Sequence, residues 1–279
     1  MGHGVHYVKL CRISGVQVGW IKQELLRDDA RMARGGTPCG AAAPGEHLRR
    51  SVCPHSVSIE RCRMTSGSDD VTTWFTSDLH LGHPLVSDVR GFGHSDADVA
   101  RHDEHILTNL MDHLTDGDTL WILGDISSGW RPQEEAALQL LDATLRGPDA
   151  PELYIHLVSG NHDSTHPIFA DAYLRQRRFL EIFDSVQSMQ MRPWGDHEVW
   201  MSHFPRPGQD HIPGGSRHDE LRLVVPLLLH GHLHSEKPVT GPGQVDVGQD
   251  PWGFKPVAEE EVMDVLFTET GWRPEKFEE

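Results

Sequence analysis

The chain has 279 residues, 37% hydrophobic and 24% charged, which allows one large domain or two small ones around a sizeable core. With 42 acidic against 25 basic residues the formal net charge is −17; this argues against tracking long duplex DNA but leaves small phosphorylated substrates open, since a bound metal can supply positive charge. No apolar stretch reaches membrane-spanning length and no basic segment followed by an apolar one opens the chain, so a cytoplasmic protein without a membrane partner is expected.

Residues 1–70 lack regular patterning. Residues 5–26 could form a strand and a helix, 27–63 mix Gly, Pro, Ala and Arg without apolar periodicity, and Ser66-Gly67-Ser68-Asp69-Asp70 is linker-like. They read as a poorly ordered N-terminal extension that adds nothing to catalysis, with Met64 a candidate start. All four cysteines, Cys11, Cys39, Cys53 and Cys62, fall there without a Cys-x-x-Cys spacing, and free thiols are expected.

From residue 71 the pattern becomes α/β. A β-prone run over 71–76 ends in Asp78-Leu79-His80-Leu81-Gly82-His83. Asp78 and His80, two apart, point to one side if strand geometry persists, and such a pair could begin a metal site. An amphipathic helix is predicted over 98–114, from Ile106, Leu107, Leu110, Met111 and Leu114. A strand over 119–123 runs into Gly124-Asp125, and a helix over 132–145 has Pro near its first turn and Gly147 past its end. A strand over 153–158 runs into Gly160-Asn161-His162-Asp163, and a helix is predicted over about 168–183.

The second half is richer in strands. Segments 185–191 and 198–202 flank a turn at Trp194-Gly195-Asp196, and the second ends in His203-Phe204-Pro205. A Gly/Pro-rich loop over 206–218 leads to an apolar strand over 224–229, ending in His230-Gly231-His232-Leu233-His234. A short strand over 245–247, a last helix over 257–267 and a frayed tail over 271–279 complete the pattern.

Five strands thus end, in succession, in metal-type residues: Asp78/His80, Asp125, Asn161/His162, His203 and His232/His234. A single Gly-Asp is commonly a turn, and a lone His is more often surface or core than ligand. Five such endings at successive strands do not fit coincidence. Of the remaining histidines, His230 reads as structural or as a support behind the ligands, His156 as a core residue, and His83 as either lining the substrate pocket or stabilising its loop. Arg206, just past His203, is a candidate substrate-phosphate contact.

Asp-x-His, Gly-Asp, Gly-Asn-His-Asp, His and Gly-His-x-His, in this order over about residues 71–255, resemble the calcineurin-like metallophosphoesterase superfamily. Asp78-Leu79-His80-Leu81-Gly82-His83 and Val247-Gly248-Gln249-Asp250-Pro251-Trp252 are similar to segments of small bacterial and phage phosphoesterases. The resemblance implies an α/β fold, a four-layer αββα sandwich of two mixed β-sheets flanked by helices, over a metallophosphoesterase domain at 71–270. It implies one metal held by Asp78, His80, Asp125 and His234 and a second by Asp125, Asn161, His203 and His232. Asp125 would bridge, its two oxygens holding cations about 3.5–4 Å apart. Mixed oxygen and nitrogen donors suit Mn, Fe, Zn or Ni, with Mn the expected ion in vitro. His162 would stand over the leaving group, and Asp163 would orient it or be a turn residue.

The implied reaction is hydrolysis of a phosphoric ester by a metal-bridging hydroxide attacking phosphorus in line. Small phosphodiesters, cyclic nucleotides among them, are the expected substrates. The alternatives are a phosphomonoesterase or protein phosphatase of the same fold and a non-catalytic metal-binding module, which would be expected to lack ligands or His162. A small phosphorylated partner, possibly a nucleotide in class, is expected rather than long nucleic acid; the oligomeric state stays open, a homodimer included.

Overall fold

The computed structural model describes residues 7–9, 20–22, 71–210 and 216–273. The expectations for the cysteines, for most of the N-terminal extension and for the tail past 273 lie outside these residues. The chain divides into two units, Met1–Met64 and Thr65–Glu279. In the first, β1 (Tyr7–Lys9) and β2 (Trp20–Lys22) pair antiparallel.

The second unit opens with β3 (Thr73–Thr76), α1 (Pro84–Val89), α2 (Asp96–Met111), β4 (Thr119–Ile122), α3 (Arg131–Leu145), β5 (Tyr154–Val158) and α4 (Ala172–Phe179). It continues through β6 (Ser185–Gln187), β7 (Met189–Trp194), β8 (His197–Ser202), β9 (Leu228–His230), β10 (Val239–Gly241), β11 (Gln244–Asp246), β12 (Val257–Ala258) and α5 (Glu259–Asp264). One five-stranded sheet has the order β12-β3-β4-β5-β6, the other β10-β11-β9-β8-β7. Both mix parallel and antiparallel pairs.

Period-two alternation explains why the first sheet is covered on both faces. Leu120, Ile122, Ile155 and Leu157 pack with Ile106, Leu110, Leu138, Leu141 and Phe179 of the helices. Their neighbours Trp121, Leu123 and Val158 pack instead with Val199, Met201, Leu229 and Val245 of the second sheet. Val262 of α5 joins that inter-sheet cluster. The result is the expected α/β sandwich of two mixed sheets flanked by helices. In α2 the start is set by Ser95, whose hydroxyl accepts from Asp98 N–H while the Asp98 carboxylate accepts from Ser95 N–H.

Several boundaries differ from the sequence expectation. The helix expected over 168–183 is only Ala172–Phe179, because His166, Phe169 and Ala172 each donate three residues back, to Asp163, His166 and Phe169, making turns rather than helix. The strand expected over 224–229 starts only at Leu228. Val224 is 82% exposed, and Pro226, which has no N–H to give a ladder, interrupts the run. The run over 185–191 is split between the two sheets, β6 in the first and β7 in the second. The last predicted helix begins as the edge strand β12 and ends in a π-helical turn, Val265–Glu269. The strand β10 and helix α1 were not expected.

Candidate metal centre

All seven expected ligands follow strand ends of the two sheets and meet at one place. Asp78, His80 and His234 form one group of metal-type donors, and Asp125, His203 and His232 a second; within each group the donor atoms lie within 4.8 Å of one another. Asn161 joins the second, its Oδ1 3.1 Å from His203 Nε2. Asp125 connects the groups: its Oδ2 is 3.3 Å from His203 Nε2 and 3.8 Å from His80 Nε2. The expected use of both carboxylate oxygens needs correction here. Asp125 Oδ1 accepts the His162 backbone N–H at 2.8 Å, so a single oxygen, Oδ2, faces both groups.

The convergence does not come from persisting strand geometry, which ends at Thr76. Asp78, His80, Asp125, His232 and His234 all have left-handed backbone, with φ of 57°, 48°, 54°, 71° and 49°. Residues with a Cβ adopt this region at a cost of about 1–3 kcal/mol each, so surrounding contacts must hold them there. Asp78 N–H donates to Gly124 O at 2.9 Å, His80 N–H to Asp125 O at 3.0 Å, and His232 N–H to the Asp78 carboxylate at 2.9 Å. The glycines of the motifs permit the close approach. A Cβ on Gly160 would lie 2.6 Å from Asp125 N, and one on Gly231 2.7 Å from Ser77 Cβ.

The outer ring nitrogens fix the tautomers. His80 Nδ1 meets Ser127 O at 3.1 Å, His203 Nδ1 meets Leu123 O at 2.8 Å, and His234 Nδ1 meets Asp250 Oδ2 at 2.9 Å. Carbonyls and carboxylates only accept, so each Nδ1 carries the hydrogen and each Nε2 turns inward as a potential donor atom. His80 Nε2 and His234 Nε2 are then 3.0 Å apart, and each is 3.8 or 3.7 Å from Asp78 Oδ1. These spacings bracket the edge of about 3.4 Å of a tetrahedron with bonds near 2.1 Å. Carboxylate, imidazole and amide donors so spaced fit divalent cations of the Mn–Zn series.

The charges of the centre shift the proton affinities of its histidines in different directions. Burial opposes it, but the Asp125 carboxylate pushes His203 up to about 10. Burial lowers His80, and the carboxylates of Asp250 and Asp78 hold His234 above its ordinary value despite burial. A cation taking the Nε2 atoms of His203 and His234 would compete with the protons favoured there.

His162 stands apart from the ligands. Its side chain is 37% exposed, against 3% for His80 and 0% for His203, and its Nε2 is 4.0 Å from Asp125 Oδ2. Ser128 O accepts from its Nδ1 at 2.9 Å, which aims Nε2 at the centre. Asp163, expected as a candidate catalytic residue, is fully buried and takes the backbone N–H groups of Asp125, Ile126 and Gly160 at 2.9, 3.0 and 2.7 Å. Of the two roles the sequence allowed, it fills that of a turn residue; its carboxylate holds the loops and Ser128 orients His162. Burial, with the nearby Asp125 charge, pushes Asp163 up to about 7.

Arg206 is a correction. Its guanidinium donates to the carbonyls of Val225, Pro226, Pro242 and Gly243, so it braces loops rather than awaiting a phosphate. His83 lies at the centre, its ring 5.3 Å from His80 and 6.3 Å from His162, and it also caps α1. His230 is buried between Gly231 O and Thr240 Oγ1, at 2.6 and 2.7 Å, and burial pushes it down to about 3. His156, expected in the core, is half-buried; it packs on Trp121 and bonds Ser185.

Three residues at the centre escaped the sequence reading: Arg90, Asp250 and Asp210. Asp250 lies in the quoted segment after Val247, yet nothing in its spacing marks a partner for His234. Asp210 Oδ1 is 3.4 Å from His232 Nε2, while its Oδ2 meets Arg222 at 3.2 Å.

Residues 71–254 match the model of the calcineurin-like phosphoesterase family, Metallophos. The Gene 66 protein of Mycobacterium phage L5 is 34% identical over 206 residues, covering 70% of this chain and 93% of that protein. The Gene 66 protein of Mycobacterium phage D29 is 34% identical over 187 residues, covering 64% and 88%. Among solved structures, the protein of unknown function AQ665 from Aquifex aeolicus is similar in fold, with TM-score 0.50 and 22% identity over 70% of this chain and 100% of that one.

Proposed function

The chain belongs to the calcineurin-like phosphoesterase family, and on that premise we propose that it hydrolyses small phosphodiesters, cyclic nucleotides among them, at a centre of two metal ions. One ion is assigned to Asp78, His80, Asp125 and His234, the other to Asp125, Asn161, His203 and His232. The observation that carries this reading is Asp125 Oδ2, which faces a ligand histidine of each group at 3.8 and 3.3 Å. Two divalent cations, manganese for preference, would supply charge for the phosphoryl oxygens and water activated near neutral pH.

The chain's own residues supply the remainder. Asn161 brings a neutral oxygen, leaving the centre net positive towards an anionic ester. His162, held through Nδ1 by Ser128 O, in its protonated form presents Nε2–H to the departing alkoxide oxygen, which takes that proton as the ester bond breaks. The arginines near the centre favour a monoanionic diester over a dianionic monoester. Arg90 and Arg222 are bound to carboxylates and Arg206 to carbonyls, so none of them is placed to take a second phosphate charge.

Among the described residues no helix is long and apolar enough to cross a membrane. The net charge of −17 supports a small ester, and not a long polyanion, as the partner. The test is a substrate panel on the manganese-loaded protein. Faster turnover of bis(p-nitrophenyl) phosphate than of p-nitrophenyl phosphate is expected; a clear preference for the monoester overturns the diester assignment, and no hydrolysis of either overturns the phosphoesterase reading.

A further inference from the structure

Arg90 caps the C-terminal end of α1 and belongs to none of the motifs the sequence brings forward. Its side chain is 1% exposed, yet all five N–H groups find acceptors. Nε and Nη2 grip the Asp250 carboxylate at 3.0 and 2.7 Å. Nη2 also donates to Asp78 O at 2.8 Å, and Nη1 to Leu79 O at 3.4 Å and to His102 Nε2 at 3.1 Å. Because Arg only donates, His102 must accept through Nε2 and give its Nδ1–H to Asp103 at 2.8 Å. Asp103 in turn accepts Gly82 N–H at 2.9 Å. Asp250, so clamped, accepts from His234 Nδ1 at 2.9 Å.

The contacts of Arg90 and Asp250 with ligand residues all fall on one group. Arg90 holds the backbone of Asp78 and Leu79, where φ of Asp78 is 57° and that of His80 is 48°. Asp250 holds the ring of His234. The second group has different support: Leu123 O holds His203, and Asp163 holds the backbone at Asp125. A bidentate Arg–carboxylate pair is both strong and directional, so it suits fixing a ligand ring and a left-handed loop at once.

We propose that Arg90 and Asp250 are positioning residues that build affinity selectively for the ion assigned to Asp78, His80, Asp125 and His234, joining two ligand segments distant in sequence through one ion pair, of which the arginine is buried. The assignment rests on the two-metal reading above. Loss of a partner to a ligand imidazole typically costs ~10–100-fold in metal affinity, and here that loss falls on one ion of two.

Calorimetric titration of the metal-free full chain with Mn2+ tests this. The wild type is expected to bind two ions. Asp250→Asn should keep one ion near wild-type affinity and weaken the other by ~10–100-fold, giving the same titration pattern as His234→Ala. Arg90→Lys, which keeps the charge but cannot form the bidentate grip, carries the same expectation should Asp250→Asn fail to fold. Equal weakening of both ions, no weakening, or a pattern matching His203→Ala overturns the inference while leaving the phosphoesterase reading intact. A wild-type protein that binds no Mn2+ overturns both.

Discussion

His80 Nε2 lies 3.0 Å from His234 Nε2 across 154 positions of sequence, with both Nδ1 atoms already donating outward. Two inward lone pairs at that distance repel unless a proton or a cation sits between them. Removing metal should therefore loosen the fold as well as stop turnover. A ligand at 100 times its Kd adds about 2.7 kcal/mol per site, so adding Mn2+ to metal-free protein should raise Tm by several degrees and restore hydrolysis. Differential scanning calorimetry before and after EDTA checks this; an unchanged Tm contradicts it.

His162→Ala should lower kcat by about 10²–10⁴ on esters with poor leaving groups, with both ions retained. The loss should shrink for p-nitrophenyl esters, whose leaving oxygen needs no proton. Rates across a series of leaving groups, beside metal analysis, decide the role. An equal loss across the series removes His162 from proton donation.

Asp163→Ala should act on stability before chemistry. It strips acceptors from the N–H groups of Asp125, Ile126 and Gly160 inside a fully buried site. Each unsatisfied buried group costs about 1–3 kcal/mol. Urea unfolding should show a lower midpoint, the unfolding free energy falling by several kcal/mol in total, with Asp163→Asn intermediate; a variant as stable as wild type contradicts the bracing role.

At Asp184 the expected effect is on pH. Burial raises its pKa, but the Ile155 N–H and the Arg146 guanidinium, at 2.7 and 2.8 Å, outweigh it and leave the folded value below the ordinary one. A depressed folded pKa means stabilisation that is present above the unfolded carboxylate pKa near 3.9 and is lost as pH falls through the folded value. Asp184→Asn should thus melt below wild type at pH 7, with the gap closing towards pH 3. A gap that is constant with pH points to lost packing instead.

The candidate ligands were legible because donor chemistry is written in residue type, and strands delivered each donor to one edge. Asp78, His80, Asp125, Asn161, His203, His232 and His234 were visible as candidates that way, while their division between two ions and the setting apart of His162 came from the family resemblance. The mechanism of their convergence was not legible: strand geometry ends at Thr76, and left-handed backbone at five ligands brings them together. Arg90 and Asp250 could not be read because their pairing spans 160 positions and neither residue type is unusual alone. Arg206 misled for the converse reason; an arginine beside a phosphate-type site looks like a contact until its four carbonyl partners are seen. Proline decided the late strand, since Pro226 keeps the apolar run before Leu228 out of the sheet.

Asp125 is the residue on which the whole centre turns. Asp125→Asn keeps the shape but replaces the shared anionic oxygen with an amide. Metal content and bis(p-nitrophenyl) phosphate hydrolysis of this variant, measured on one preparation, test the two-metal account most directly. The account predicts two ions per chain and turnover in the wild type, with turnover abolished and metal lost in the variant. Hydrolysis at the wild-type rate by Asp125→Asn, or an active wild type that contains no metal, would contradict it.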